Sequence, residues 1–267
     1  MTMEQESPGA STNDESEWVP ERCLSVTVRG PWGHFRRVEG NVVKQTYRII
    51  PRTTVAGLLA AVLGVERDGY YDLFGPSASR IAIEPVSPLR TLNMPMNTLS
   101  TAGGDLQSIN AHGKITIRLP DPTNLRQQHN YEVLVGPEYR IDIALSDEKT
   151  YRKLRETLAA GKSHYVPSLG LSEHLAELEF HGEFEVRDGP TDDPVAVDSA
   201  VPNRIESVVL ESGTRCQVEE SPAFMANDSG GRTTTEFTSY VYNPDAKELD
   251  VRDIDAKTVD ERTVVFV

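Results

Sequence analysis

His34, Lys44 and Tyr47 supply a base, a cation and an acid within one short stretch, the three functions that metal-independent attack by a 2′-hydroxyl on RNA requires. The same stretch offers a second chemistry. Trp32 and His34 present rings on which bases could stack, and Arg36 and Arg37 present guanidinium groups suited to phosphate. A tryptophan beside the Gly30-Pro31 turn serves equally well as a plug for the core. Arg48 and Arg52 flank Pro51, and Thr53 or Thr54 offers a hydroxyl cap to an apolar helix from Val55 to Leu63. A helix amino terminus between two arginines suits an anionic oxygen, while the alternative is an ordinary capped core helix with solvated arginines. Spacing alone does not decide among these readings.

The elements that must position these residues follow from hydrophobic patterning. Leu24–Val28 alternates as a half-buried strand, Val42–Ile50 is extended, and Gly64 stops the helix. Ile81–Ile83 with Val86 predicts another strand. A polar tract from Arg90 to about Asn130 follows, containing Asn93-Met94-Pro95-Met96-Asn97, the flexible Gly103-Gly104 and a strand-like Ile115–Ile117. A tract this long inside a compact domain suggests the two legs of a protruding hairpin. Tyr139–Leu145 alternates again, Ser146 is the expected cap of a helix from Asp147 to about Ala160 with Tyr151, Leu154 and Leu158 inward, and Leu175–Val186 predicts a strand with one wet face. The order β, α, β, β, α, β predicts an α+β, ferredoxin-like domain over residues 21–186, with the hairpin at about 90–131. A disordered acidic leader is expected over residues 1–20, and a linker from Asp188 to Pro194 opens a small acidic β-rich extension, 187–267, with strands at Ile205–Leu210, Thr234–Tyr242 and Thr263–Val267.

Charge is divided unevenly. The formal net charge is −14, yet residues 21–140 hold 14 Lys/Arg against 10 Asp/Glu, leaving 13 against 31 elsewhere. Arginine outnumbers lysine 20 to 7, and carboxylates are spread over nearly every polar segment, a composition expected of a halophilic protein kept soluble by its acidic surface. The six histidines show no metal-ligand spacing, and phosphate-loop and GxSxG motifs are absent, so neither metal nor cofactor is expected. Cys23 and Cys216 lack disulfide or zinc spacing and are expected to be buried thiols. No apolar run approaches the length of a membrane span, and the predicted location is cytoplasmic, with no membrane partner.

Three blocks, KQTYRIIPRTTVAGLLAAVLG, NLRQQHNYEVLVGPEYRI and PSLGLSE, resemble those of the Cas-five family, the RAMP-type subunit of type I CRISPR interference (Cascade) complexes; length and composition suggest a haloarchaeal type I-B member. The resemblance covers roughly Leu24 to Val186. It implies an RRM-related ferredoxin-like domain whose hairpin acts as a thumb, and a noncatalytic subunit that caps the 5′ handle of the CRISPR RNA beside the backbone and large subunits, meeting target DNA only indirectly. The residues themselves and the resemblance together give as RNA-binding Trp32, His34, Arg36, Arg37, Lys44, Tyr47, Arg48, Arg52, Thr53 and Thr54, with Arg90, Asn93, Arg126, Gln127 and His129 on the hairpin legs. Some family members cut repeat RNA, so a metal-independent endoribonuclease built on His34, Lys44 and Tyr47 stands as the alternative.

Overall fold

The computed structural model describes residues 18–37, 43–99, 126–228 and 231–267. Most of the expected leader, Gly103-Gly104 and Ile115–Ile117 lie outside these residues. From the start, β1 (Arg22–Arg29) leads through the two-residue strands β2 (Trp32–Gly33), β3 (Phe35–Arg36), β4 (Val43–Lys44) and β5 (Thr46–Tyr47) into α1 (Arg52–Leu63). Next come β6 (Ser79–Pro85), β7 (Arg90–Leu99), β8 (Arg126–Val135), β9 (Glu138–Leu145), α2 (Glu148–Ala159) and β10 (Glu177–Asp188). The remainder adds β11 (Val195–Val197), β12 (Val201–Pro202), β13 (Gln217–Asp228), β14 (Gly231–Tyr242), β15 (Leu249–Val251), β16 (Lys257–Val259) and β17 (Arg262–Val264). The described chain is thus mostly β with two helices.

Four antiparallel strands in the order β10-β1-β9-β6 form the centre of a six-stranded sheet that β16 and β17 continue beyond β10. Alternation along β1 explains its two faces: Leu24, Val26 and Val28 join the main core with residues of both helices, whereas Cys23, Ser25 and Thr27 point to the other side. That second face is partly closed by the last strands. β16 pairs with β10 at Val186–Asp188, Val259 and Val264 pack on Cys23, Ala82 and Ala144, and Val267 exchanges hydrogen bonds with Ile81 on β6. Arg262 crosses this face to Asp142 at 2.8 Å and Glu84 at 2.8 Å, and burial of Cys23 there pushes its thiol far above the ordinary range. Trp18, inside the expected leader, packs on the same cluster with the Arg80 guanidinium over its ring.

α1 is an Ala/Leu-rich helix buried on most sides, between α2 and β13, and it ends where Gly64 takes φ 73°. Its start differs from expectation. Helical geometry begins at Arg52 with Pro51 as N-cap and no side-chain cap, so Thr53 and Thr54 lie in the first turn instead of ahead of it. α2 is amphipathic, burying Tyr151, Leu154 and Leu158, and its cap is Asp147, one residue beyond the expected Ser146; the carboxylate accepts from Thr150 N at 2.8 Å, a contact worth about 1 kcal/mol. Ile205–Leu210, expected as a strand, is a 3-10 turn at Ile205–Ser207 followed by a single bridge at Val208. Cys216 is only partly buried.

Candidate nucleic-acid interface

β7 and β8 form a hairpin of ten direct pairs, from Arg90 opposite Val135 to Leu99 opposite Arg126. The other edge of β8 is also occupied: β2 pairs antiparallel at Val135 and Leu134, and β4 pairs parallel, Val43 with Asn130 and Lys44 with Tyr131. Directly paired side chains share a face, and the face alternates every residue. One face therefore collects Lys44 and Tyr131 with Met94 opposite, then His129 with Met96 opposite, and towards the base, past exposed Leu92 and fully buried Val133, Arg90, Val135 and Trp32. The Tyr131 ring meets His34 edge-on at 5.1 Å and His129 at 6.4 Å. Rings, thioethers and cations alternating along a half-exposed strip provide stacking surfaces flanked by positive charge, the combination that holds single-stranded nucleic acid.

The opposite face carries Glu132, which draws the basic segment onto the hairpin. Its carboxylate accepts Thr46 N at 3.2 Å, the Thr91 hydroxyl at 3.1 Å and Arg48 Nη2 at 3.4 Å. From the other side comes Glu219 of β13, only 6% exposed, whose Oε2 accepts Arg48 N at 2.7 Å and Ile49 N at 3.1 Å. Burial raises the Glu219 carboxyl above its usual range, although the two amides and Arg48 favour the charged form. The Tyr139 hydroxyl donates to the Arg48 carbonyl.

The structure divides the residues expected to touch RNA. Arg52 is 1% exposed and is corrected from a phosphate contact to an internal tie: Nη1 donates to Phe74 O at 2.7 Å, Nη2 to Ser79 Oγ at 2.6 Å, and the guanidinium lies 4.1 Å from the Phe224 ring centre. Desolvation lowers its pKa to about 10, so it remains charged near neutrality. Arg48 stays partly exposed, with its guanidinium 3.4 Å from Glu132 and 3.6 Å from Glu219.

His34 is 1% exposed, with Nδ1 hydrogen-bonded to Glu132 O at 2.8 Å; burial lowers its pKa, and the ring is not presented to solvent. Tyr47 is buried at 7% exposure beneath the Arg37 guanidinium, 5.2 Å from its ring centre. His34 and Tyr47 therefore do not open with Lys44 onto a common cleft. Their segment folds this way because the tightly turned PSLGLSE block runs along the free edge of β2: His34 N donates to Leu169 O at 2.9 Å, and a Cβ on Gly170 would stand 1.9 Å from His34 O.

The remaining residues lie outward. Arg36, Arg90 and Asn93 are exposed, and Trp32, Arg37, Lys44 and His129 are half-buried. Thr53 and Thr54 line an open cleft with Ser168, Met225 and Arg232 on the flank of α1, with Arg232 3.4 Å from Asp68. Arg126 and Gln127 begin β8, outside the residues whose side chains are described. Met94, Met96, Tyr131, Glu132 and Glu219 were missed by the sequence reading. His129 and Tyr131, two apart in a strand, carried a signal for one shared ring-bearing face; nothing in the sequence pointed to the glutamates.

The chain resembles solved structures at low identity. A chain from a "CRISPR RNA-guided surveillance complex" is 16% identical, with 86% of this chain and 91% of that one covered at a TM-score of 0.49. A CRISPR protein from Archaeoglobus fulgidus is 14% identical, with 91% and 97% covered at 0.47. Likenesses this distant carry no weight for function, and no curated protein matches the sequence. The family model described as CRISPR-associated protein (Cas_Cas5) matches residues 23–203, reaching past Val186 and covering the hairpin, the basic segment and the PSLGLSE turn together, and the chain therefore belongs to that family.

Proposed function

We propose that the protein is a noncatalytic subunit of a type I CRISPR interference complex that holds the 5′ handle of the CRISPR RNA on the hairpin β7–β8 and the adjoining basic ribbon. The observation that carries this reading is the single hairpin face on which Lys44, Tyr131, His129 and two methionines stand together, with Arg90 at its base. Unstacked bases find ring and thioether surfaces there, and Lys44, Arg90 and the nearby exposed Arg36 are available to phosphates. The succession β1-α1-β6-β9-α2-β10 with strand order β10-β1-β9-β6 supports a ferredoxin-like reading of the central domain, an arrangement many RNA-binding folds share. The hairpin would be the thumb, and neighbouring backbone and large subunits would complete the grip on the handle.

Burial of His34 and Tyr47 supports the noncatalytic reading, because a general base and acid must reach the proton they transfer. In the concentrated salt suggested by the acidic composition, where the Debye length is about 3 Å, stacking and close contacts would carry affinity better than diffuse attraction.

The test is purification of the full chain with its complex from its host, followed by sequencing of the small RNA that accompanies it. Handle-bearing RNA with a uniform 5′ end is expected; a protein without RNA and outside any large assembly would overturn the reading. Incubation of the chain with repeat RNA in chelator should leave the RNA intact. A single cut that disappears in His34→Ala would establish the endoribonuclease instead.

A further inference from the structure

The basic ribbon is held by its own β3–β5 pairing and by β4 on β8, and further hydrogen bonds reach it from outside, one set from the acidic C-terminal region. Glu219 binds two consecutive backbone amides, Arg48 N at 2.7 Å and Ile49 N at 3.1 Å, and its other oxygen lies 3.6 Å from Arg48 Nη1. Glu132 binds Thr46 N at 3.2 Å and Arg48 Nη2 at 3.4 Å from the opposite side. Each long hairpin thus contributes one carboxylate to a four-residue stretch. That stretch follows Lys44 after one residue, Gln45, and Thr46 is the cross-strand partner of Arg36.

A buried carboxylate is costly, and nearly the whole of Glu219 is removed from water. Its hydrogen bonds do something an apolar residue would not: they fix the backbone of the turn between β5 and α1 in one register. The Glu219 and Glu132 carboxylates also lie 3.6 Å and 3.4 Å from the Arg48 guanidinium, so its charge is paired within the protein.

We propose that Glu219 and Glu132 are positioning residues, which hold the ribbon bearing Lys44 and Arg36 at a fixed spacing from the ring-bearing face of β7–β8 and thereby set the affinity for RNA. This rests on the reading that the hairpin face binds RNA. It gives the acidic C-terminal region a part in recognition without any contact to the ligand. Among the described residues, the groups facing Glu219 are Arg48 from the ribbon, Tyr139 from β9 and Tyr242 from β14, so Arg48 is the cation set against its carboxylate.

The test uses the full-length chain and a fluorescent single-stranded RNA oligonucleotide copied from the handle portion of the repeat, titrated so that active fraction and Kd are read separately. Glu219→Gln and Glu132→Gln keep the shape and one acceptor oxygen. Each should retain the wild-type active fraction and the wild-type dependence of binding on salt, because no phosphate contact is removed, while Kd weakens about tenfold, the effect of roughly one hydrogen bond to a charged group. Lys44→Gln serves as contrast, since it should reduce the salt dependence itself. A residue that merely supports folding would lower the active fraction and leave the Kd of the remainder unchanged, and that result would overturn the proposal. Wild-type binding with unaltered Kd in both variants would sink positioning alone, whereas no binding by the wild type would sink the RNA reading and positioning with it. Should Glu219→Gln not fold, Glu132→Gln at the more open site decides the matter by the same criteria.

Discussion

The two long hairpins grip the same basic segment yet present opposite characters. β13–β14 turns Glu219, Ser221, Tyr240 and Tyr242 inward at its base, all nearly removed from solvent, helps to bury Arg52 and pairs Glu219 with the partly exposed Arg48. β7–β8 leaves Met94, Tyr131 and His129 half-exposed and brings Lys44 beside them. Apart from Glu132, which also pairs with Arg48, β7–β8 displays positive charge where β13–β14 consumes it for stability. The lesson is that a run of arginines in sequence measures the charge available to a segment, while its direction at each residue is set by which hairpin packs there.

The division can be broken most severely at Arg52. Arg52→Met removes the donor to Phe74 O and Ser79 Oγ and leaves acceptors stranded in the core, so stability should fall by about 3–5 kcal/mol in denaturant titration, with RNA affinity of the folded fraction unchanged. A loss of affinity without a loss of stability would show that Arg52 faces ligand. On the displaying side, Tyr131→Ala should weaken RNA binding by about 1–3 kcal/mol, the usual contribution of a stacked ring, and shift the unfolding midpoint less than Arg52→Met does. Charge reversal sharpens the contrast further. Lys44→Glu with Arg36→Glu should reduce RNA retention, whereas Arg48→Gln should act chiefly through stability; the salt slope should shift by about 0.7 for each phosphate no longer neutralised, read from binding at several salt concentrations.

The smallest expected effect concerns pH. His34 has a folded pKa lowered by burial, so protons bind the unfolded chain first as pH falls below about 6.5. Its contribution to stability is therefore full above that value and is lost as pH falls towards the depressed folded pKa. A His34→Gln variant should show a shallower decline of stability between pH 7 and pH 5 than the wild type, measured by equilibrium unfolding at each pH.

Much of the fold was legible because local signals agreed with tertiary needs. The apolar run ending in Gly64 gave α1, the spacing of Tyr151, Leu154 and Leu158 gave the inner face of α2, and alternation gave β1, β9 and β10 to within two or three residues. β13 escaped notice because Gln217–Asp228 mixes acidic residues with Pro222 and reads as a loop until β14 lies beside it. Ile205–Leu210 misled in the opposite way: its β-branched residues lacked a partner strand beyond the bridge at Val208. The site was half legible. Exposed Arg36, Lys44 and Arg90 could be named from charge, but burial of Arg52 depends on Phe224 and Val267, residues more than a hundred positions away, which no local pattern encodes.

Among the described residues, the outer edge of β10 is paired by β16 at Val186–Asp188, and the rest of this twelve-residue strand has no strand partner on that edge. Along that edge Glu177, Glu179, Glu183 and Glu185 recur, and a bulge falls where Gly182 and Phe180 change register against β1. Glu177 and Glu179 pair with Arg29, and Glu183 with Arg22 and Arg155, so this is a kinked rim of ion pairs. A charged, bulged rim of this kind disfavours edge-to-edge pairing of two copies, because stacking them would bury charges and break the register.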